Sequence, residues 1–118
     1  MAKIKEVIAA AANTHNILSS GTHINGDINA EEDFRIDGTI EGNIVCKGKI
    51  IIGTNSSIVG NIESTNIEIL GQVKGNIICR EGVILRTSSV LSGDITTGVI
   101  EIEPGAKFEG TCSMYTEK

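Results

Sequence analysis

A short word recurs along the chain, and it constrains the fold more than any other feature. The word is a glycine, then a polar residue, then isoleucine, with cysteine replacing isoleucine in the last copy. Its six copies begin at Gly26, Gly42, Gly60, Gly75, Gly93 and Gly110. The steps are 16, 18, 15, 18 and 17 residues, which in a chain of 118 residues predicts a repeat architecture of about six units.

Apolar residues keep fixed places in every unit and predict strands rather than helices. Ile40 and Ile44, for example, stand two residues before and two residues after Gly42. A small or soft side chain follows at the fourth position, and a second apolar pair such as Ile50 and Ile52 lies further on. A spacing of two is the period of a β-strand, whereas a helix repeats at three and four.

The length of a unit predicts the shape of one turn. Seventeen residues at about 3.3 Å each make a path of about 55 Å, which suits three short strands joined by bends. Glycines between the apolar pairs, including Gly38, Gly53 and Gly71, predict those bends. We therefore expect an all-β, single-stranded parallel β-helix with three faces and about six rungs, in which isoleucines stack on isoleucines.

Polar side chains in the repeat predict contacts between rungs. Three asparagines share one column on successive rungs, Asn43, Asn61 and Asn76. They predict a ladder of hydrogen-bonded amides, with ordinary surface asparagines as the alternative. The acidic residues 31–33 lie one rung below Lys47 and Lys49, and Arg80 lies two rungs higher. This placement predicts weak ion pairs between rungs.

The ends of a β-solenoid expose unpaired backbone groups and an apolar cross-section, which monomers cover with a polar cap. The last repeat carries Phe108, Cys112 and Met114, and residues 115–118 are too few to cover them. We therefore expect a second copy of the chain to cover this end.

The chain is expected to have three parts: residues 1–20 as a flexible or short amphipathic segment, 21–114 as the β-helix, and 115–118 as a short tail. Between Lys3 and Ala12 apolar residues recur at helical spacing, but so short a helix needs a surface to be stable. That surface is either the first rung or an anionic lipid layer. The candidate membrane contacts are Lys3, Ile4, Lys5, Val7 and Ile8.

Composition excludes several classes of function. A net charge of −5 argues against a nucleic-acid partner, and no apolar run is long enough for a membrane span. Three dispersed cysteines without a signal peptide predict reduced thiols in a cytoplasmic protein. His15 and His23 have no nucleophile or carboxylate pattern beside them. We therefore expect no catalytic residue, no metal site and no cofactor.

Four glycine-rich stretches stand in a distinctive order: residues 21–28 (GTHINGDI), 34–44 (FRIDGTIEGNI), 71–77 (GQVKGNI) and 105–114 (GAKFEGTCSM). Together they resemble the bactofilins, which are bacterial cytoskeletal proteins built on a right-handed β-helix. The likeness covers about residues 21–114.

This resemblance implies a structural protein that polymerises without nucleotide, through its solenoid ends, into filaments without polarity. It also implies a place at the inner face of the cytoplasmic membrane, where filaments scaffold cell-shape machinery such as peptidoglycan synthases or hydrolases. Phe108 matches the family's carboxyl-terminal core phenylalanine. The expected assembly residues are Phe108, Met114 and Cys112 at one end and Ile24 and Ile28 at the other.

Two other classes of β-solenoid remain as alternatives. A left-handed β-helix acyltransferase would show a strict six-residue period and a histidine in a groove, and the observed steps of 15 to 18 residues differ from that period. A solenoid that binds a partner without polymerising, such as an extracellular adhesin, would show export signals and a flat threonine ladder. The threonines of this chain do not fall in one column.

Overall fold

A computed structural model describes residues 16–114, and all regular structure in this range is β-strand. Sixteen short strands wind as a solenoid, and every pairing between them is parallel. Each strand pairs with strands one turn above or below it rather than with its neighbours in sequence. The expected parallel β-solenoid of about six turns is therefore confirmed.

Each turn of the solenoid has three faces. Face 1 contains β2 (His23–Asn25), β5 (Thr39–Glu41), β8 (Ser57–Val59), β10 (Gln72–Lys74), β12 (Val90–Ser92) and β15 (Lys107–Glu109). Face 2 contains β3 (Ile28–Ala30), β6 (Ile44–Cys46), the first parts of β9 (Ile62–Ile69) and β11 (Ile77–Leu85), β13 (Ile95–Thr97) and β16 (Cys112–Met114). Face 3 contains β1 (Asn16–Leu18), β4 (Phe34–Ile36), β7 (Lys49–Ile52), the second parts of β9 and β11, and β14 (Val99–Ile102).

The core is a set of columns in which like side chains stack along the solenoid axis. On face 1, for example, Ile40, Ile58, Val73 and Leu91 lie one above another and are at most 2% exposed. Removing such a side chain from water contributes about 1.5–3 kcal/mol. The apolar residues that recur once per unit in the sequence therefore stack in one column of the core.

Two cysteines act as small core residues, as their column position predicts. Cys46 and Cys79 are buried thiols on face 2, with Ser64 on the turn between them. Burial raises the pKa of Cys79 to about 11, and it also raises the pKa of Cys46. Both side chains therefore remain uncharged thiols at neutral pH.

The recurring glycines are required by the backbone. Gly42, Gly60, Gly75 and Gly93 have φ between 143° and 154°. At Gly60 an added Cβ would clash with the carbonyl oxygen of Gly42, and the other three show the same clash with the glycine one turn below. Positive φ therefore falls in the recurring word, and it also occurs at Gly21 and Gly105 outside it. The bend glycines Gly38, Gly53 and Gly71 have ordinary φ and instead allow close approach between turns.

A hydrogen-bonded ladder follows each recurring glycine, but its chemistry differs from the expected pairing of amides. In each ladder residue except the last, Thr111, the Oδ1 atom accepts a bond from the backbone N–H of the ladder residue one turn above, at 3.0–3.1 Å. The ladder residues are Asp27, Asn43, Asn61, Asn76, Asp94 and Thr111. Because each of these Oδ1 atoms accepts from the turn above, the ladder has a direction.

The described solenoid begins earlier than the expected boundary at residue 21. Asn16, Ile17 and Leu18 form β1, which pairs in parallel with β4. This strand has no glycine word of its own, so its place in the repeat is not apparent from the sequence. The remaining expectations for residues 1–15 and 115–118 lie outside the described range.

Candidate assembly interfaces

The carboxyl-terminal end face is formed by β14, β15 and β16, the uppermost strands of the three faces. Within residues 16–114 each of them pairs only with a strand below it: β11, β12 and β13 respectively. Their upper edges therefore present unpaired backbone N–H and C=O groups, which are a template for a further strand.

Apolar side chains cover this end face. Met114 is 52% exposed and Phe108 is half-buried, whereas Thr97 and Leu91 directly below them are 0% and 1% exposed. Cys112 is exposed above the buried Ile95, and its Sγ atom lies 3.9 Å from Sδ of Met114. The structure therefore brings the three predicted residues together on one end.

The amino-terminal end face is formed by β1, β2 and β3, the lowest strands of the three faces. The predicted residues Ile24 and Ile28 are half-buried there, below the fully buried Ile40 and Ile44. Ala30 completes the apolar surface on face 2. Both ends of the described solenoid thus carry the cross-section of the core.

The sequence reasoning missed end-face residues on face 3, among them Ile102 and Leu18. Ile102 is 49% exposed on β14, and the half-buried Leu18 lies on β1. They belong to the same inward column as the fully buried Ile36 and Leu85. That column is visible in the sequence as the second apolar pair of each unit, so following it to both ends would have found Ile102.

Charged residues form a network on the wall of face 3 rather than at the end faces. Glu68 accepts from Arg86 at 2.7 Å and lies 3.4 Å from Lys49, while Arg86 also donates to Glu103 at 2.6 Å. Residues 31–33 form no ion pair within the described range, so the predicted pairing with Lys47, Lys49 and Arg80 is wrong. Asp33 instead accepts a hydrogen bond from the backbone N–H of Lys49.

The network shifts the pKa of its members. Burial acts to raise the pKa of Glu68, but hydrogen bonds and charge from Arg86 and Lys49 outweigh it and hold the pKa below its usual value. A hydrogen bond from Arg86 likewise lowers the pKa of Glu103, and both carboxylates raise the pKa of Arg86. These ion pairs join four successive turns of the wall.

The candidate membrane contacts Lys3, Ile4, Lys5, Val7 and Ile8 lie outside the described residues. Residues 16–114 contain no apolar helix of membrane-spanning length. Within the same range, histidine, cysteine and carboxylate side chains form no group of three placed to hold a metal ion.

Comparisons with known proteins agree with this architecture. The family model for bactofilins, described as polymer-forming cytoskeletal proteins, matches residues 16–113. A structure of the cytoskeletal bactofilin BacA, determined by solid-state NMR, superposes with a TM-score of 0.78 at 28% sequence identity, covering 89% of this chain and 100% of BacA. A comparison with curated protein sequences found no match. The chain therefore belongs to the bactofilin family of polymer-forming cytoskeletal proteins.

Proposed function

We propose that the protein is a structural element that assembles end to end, without nucleotide, into non-polar filaments. The observation that carries this proposal is the apolar cross-section at both ends. Stacking two subunits removes Ile102 and Met114 from water and supplies backbone partners to the uppermost strands. Both contributions are present in the folded chain itself, so the joint requires no bound nucleotide.

The direction of the ladder supports joints between like ends. At the carboxyl end the ladder finishes in Thr111, whose hydroxyl donates to Asp94 at 2.9 Å. It has no Oδ1 atom to offer to the backbone N–H of Asp27 in a copy stacked above. A head-to-tail joint would therefore break the ladder, whereas a joint between two carboxyl ends places no such demand on it.

Joints between like ends are isologous, so two different joints alternate along the filament. One joint contains Phe108, Cys112 and Met114 from both subunits, and the other contains Ile24 and Ile28. The competing arrangement is head to tail. In that arrangement β1, β2 and β3 of one subunit would lie above β14, β15 and β16 of the next, so the three faces would also continue across the joint.

The first experiment compares two isoleucines of equal exposure. Ile102 on the carboxyl end face is 49% exposed, and Ile78 on the wall of face 2 is 48% exposed. Ile102→Arg places a charge in the joint, where its desolvation costs several kcal/mol. We expect electron microscopy and sedimentation to show filaments for Ile78→Arg and small species for Ile102→Arg.

Phe108→Arg tests the residue chosen from the sequence, with circular dichroism to establish that the subunit still folds. Filaments from both Ile102→Arg and Phe108→Arg would contradict the end-face joint, as would their loss in Ile78→Arg.

A second experiment tests polarity with the native cysteines. Cys112 is exposed at the carboxyl end, and Cys46 and Cys79 are buried. In a non-polar filament, a bismaleimide with a flexible spacer should link Cys112 pairs into covalent dimers and no larger species, and Cys112→Ser should abolish the product. In a polar filament equivalent cysteines are one subunit apart, about 29 Å for six strands spaced about 4.8 Å, and no dimer should form.

The cellular role we propose is that of a scaffold for cell-envelope or cell-shape machinery at the cytoplasmic membrane, with peptidoglycan synthases or hydrolases as partners. This part rests on the family's cytoskeletal character and on the basic and apolar residues Lys3, Ile4, Lys5, Val7 and Ile8. Flotation with anionic liposomes tests it: the full chain should float, and a chain lacking residues 1–15 should not.

A further inference from the structure

Face 3 carries a groove that runs along the solenoid axis between two columns of outward-facing side chains. One column contains Asp33, Lys49, Asn66, Gly82 and Val99, and the other contains Arg35, Ile51, Glu68, Ile84 and Glu101. A cavity of about 130 Å³ forms the lower part of this face 3 groove, and one of about 360 Å³ forms the upper part. Lys49 lines both parts, so they adjoin each other.

The upper part of the groove combines an apolar floor with an acidic rim. Val99 is 64% exposed and Ile84 is half-buried, and Gly82 between them has no side chain to fill the space. Glu81 and Glu101 stand at the rim, and neither forms an ion pair within residues 16–114. Such a surface fits a short segment that is apolar on one side and basic beside it.

We propose that the face 3 groove binds the chain's own amino-terminal segment, residues 3–12. The first argument is where the chain joins the solenoid. β1 begins at Asn16, which pairs with Phe34, and Phe34 lines the lower part of the groove. The preceding residues therefore join the described chain at the lower end of the groove.

The second argument is reach. A ten-residue helix is about 15 Å long, which corresponds to about three turns of the solenoid at a strand spacing of about 4.8 Å. With residues 13–15 as an extended link of about 10 Å, a helix that starts beside Lys49, one turn above Phe34, ends three turns further up beside Val99 and Glu101. Its amino-terminal lysines then lie next to the acidic rim.

The third argument is chemical complementarity. Ile4, Val7 and Ile8 form the apolar stripe of the segment, and Lys3 and Lys5 supply positive charge near its start. A helix this short is unstable alone in water and gains stability by packing its stripe on an apolar surface. The groove thus holds the same residues that would otherwise contact lipid, and the two contacts exclude each other.

Cross-linking within the full chain tests the proposal. In a Cys112→Ser background, Ala2→Cys is combined with Val99→Cys in the groove or, as the matched control, with Val59→Cys on face 1, where Val59 is 48% exposed. A short bismaleimide should link Ala2→Cys to Val99→Cys within one molecule roughly tenfold faster than to Val59→Cys, because docking raises the effective concentration. Equal rates overturn the proposal.

A variant that fills the groove provides the second readout. A Cβ at Gly82 would meet its nearest atoms at 3.5 Å or more and the residue has ordinary φ, so Gly82→Leu keeps the fold while its side chain occupies the groove. It should lower the Val99→Cys cross-linking rate roughly tenfold, to the level of the Val59→Cys control. An unchanged rate overturns the proposal.

Charge reversal separates specific docking from general proximity. Glu81→Lys with Glu101→Lys should slow the cross-link roughly fivefold, and Lys3→Glu with Lys5→Glu in the same chain should restore it. Mixing chains that carry only one of the two cysteines identifies the host of the segment. If a mixture of Ala2→Cys chains and Val99→Cys chains cross-links as fast as the chain that carries both cysteines, the segment binds a neighbouring subunit and the proposal is wrong.

Discussion

The middle turns and the two terminal turns are built from the same columns, yet the columns have different surroundings. Ile58 has a turn above and below it and is 1% exposed, whereas Ile24 in the same column has, within residues 16–114, a turn on one side only and is half-buried. A position in the repeat therefore specifies which way a side chain points. Its energetic weight depends on whether another turn lies on each side.

The largest difference between middle and end is expected at the recurring glycines. Gly60→Ala combines a φ of 146° with a clash against the carbonyl oxygen of Gly42, which is backbone and cannot move cheaply. Gly26→Ala has a similar φ but nothing within 4 Å of the new Cβ. We expect Gly60→Ala to cost more than about 4 kcal/mol and Gly26→Ala about 1–3 kcal/mol. Urea unfolding followed by circular dichroism measures both, and equal losses would contradict the comparison.

Truncating the isoleucine column should give the next largest difference. Ile58→Ala leaves a cavity between two turns and should lower the free energy of unfolding by about 2–5 kcal/mol. Ile24→Ala removes a half-exposed side chain at the open end and should cost about 1 kcal/mol. The measurement is best made at concentrations where the chain does not assemble. Once a second subunit covers the amino end, the loss from Ile24→Ala should grow, which extends the same comparison to the filament.

The ladder should show a smaller contrast. Asn61→Ala removes the oxygen that accepts the backbone N–H of Asn76 and should cost about 1 kcal/mol. Thr111→Ala removes a side chain that accepts from no further turn in the described range and should cost less than about 0.5 kcal/mol. Thermal unfolding resolves the two, and a larger loss for Thr111→Ala would reverse our account of the ladder's direction.

The smallest effect is expected from the ion pairs, and it depends on pH. The folded-state pKa values of Glu68 and Glu103 are lowered, so their contribution to stability is present above about pH 4.5, the usual glutamate pKa, and is lost as the pH falls through the lowered values. Arg86→Gln should therefore lower the unfolding midpoint at pH 7, and the difference from wild type should shrink toward pH 3.

A matched control for this prediction is Arg35→Gln. Arg35 pairs with Asp37 at 3.0 Å on the same strand end, so the pair does not join successive turns. We expect little change in the midpoint at either pH. A pH-independent loss in Arg86→Gln would show that the arginine acts through packing alone.

The sequence predicted the core well because a column repeats the same choice on every turn. Ile40, Ile58 and Leu91 each follow from the glycine two residues later, and all three are buried. The ion pairs were harder to predict, because long side chains at corners of variable length can reach more than one neighbouring turn. Lys49 illustrates this: its side chain was expected to pair with residues 31–33, and its Nζ atom lies instead 3.4 Å from Glu68 on the turn above.

The end faces were predicted only in part, for a related reason. Phe108 and Met114 were expected at the carboxyl end because they stand two residues before and four residues after Gly110, in the last glycine word. Ile102 lies eight residues before Gly110 and was not included. β1 escaped notice because Ile17 and Leu18 stand alone, without a glycine or a ladder residue. A strand at the end of the solenoid that lacks the repeated motif cannot be predicted from the other units, whereas the inner strands can.

The ladder also makes the length of the molecule adjustable in whole steps. Asn43, Asn61 and Asn76 each present an Oδ1 acceptor to the turn above and a backbone N–H to the turn below. An extra unit of 15 to 18 residues placed between two of them would therefore continue the ladder and leave both end faces of the subunit unaltered. Each such unit would lengthen one subunit by about 4.8 Å. Duplication or deletion of units would therefore change the subunit repeat distance of the polymer in steps of about 4.8 Å.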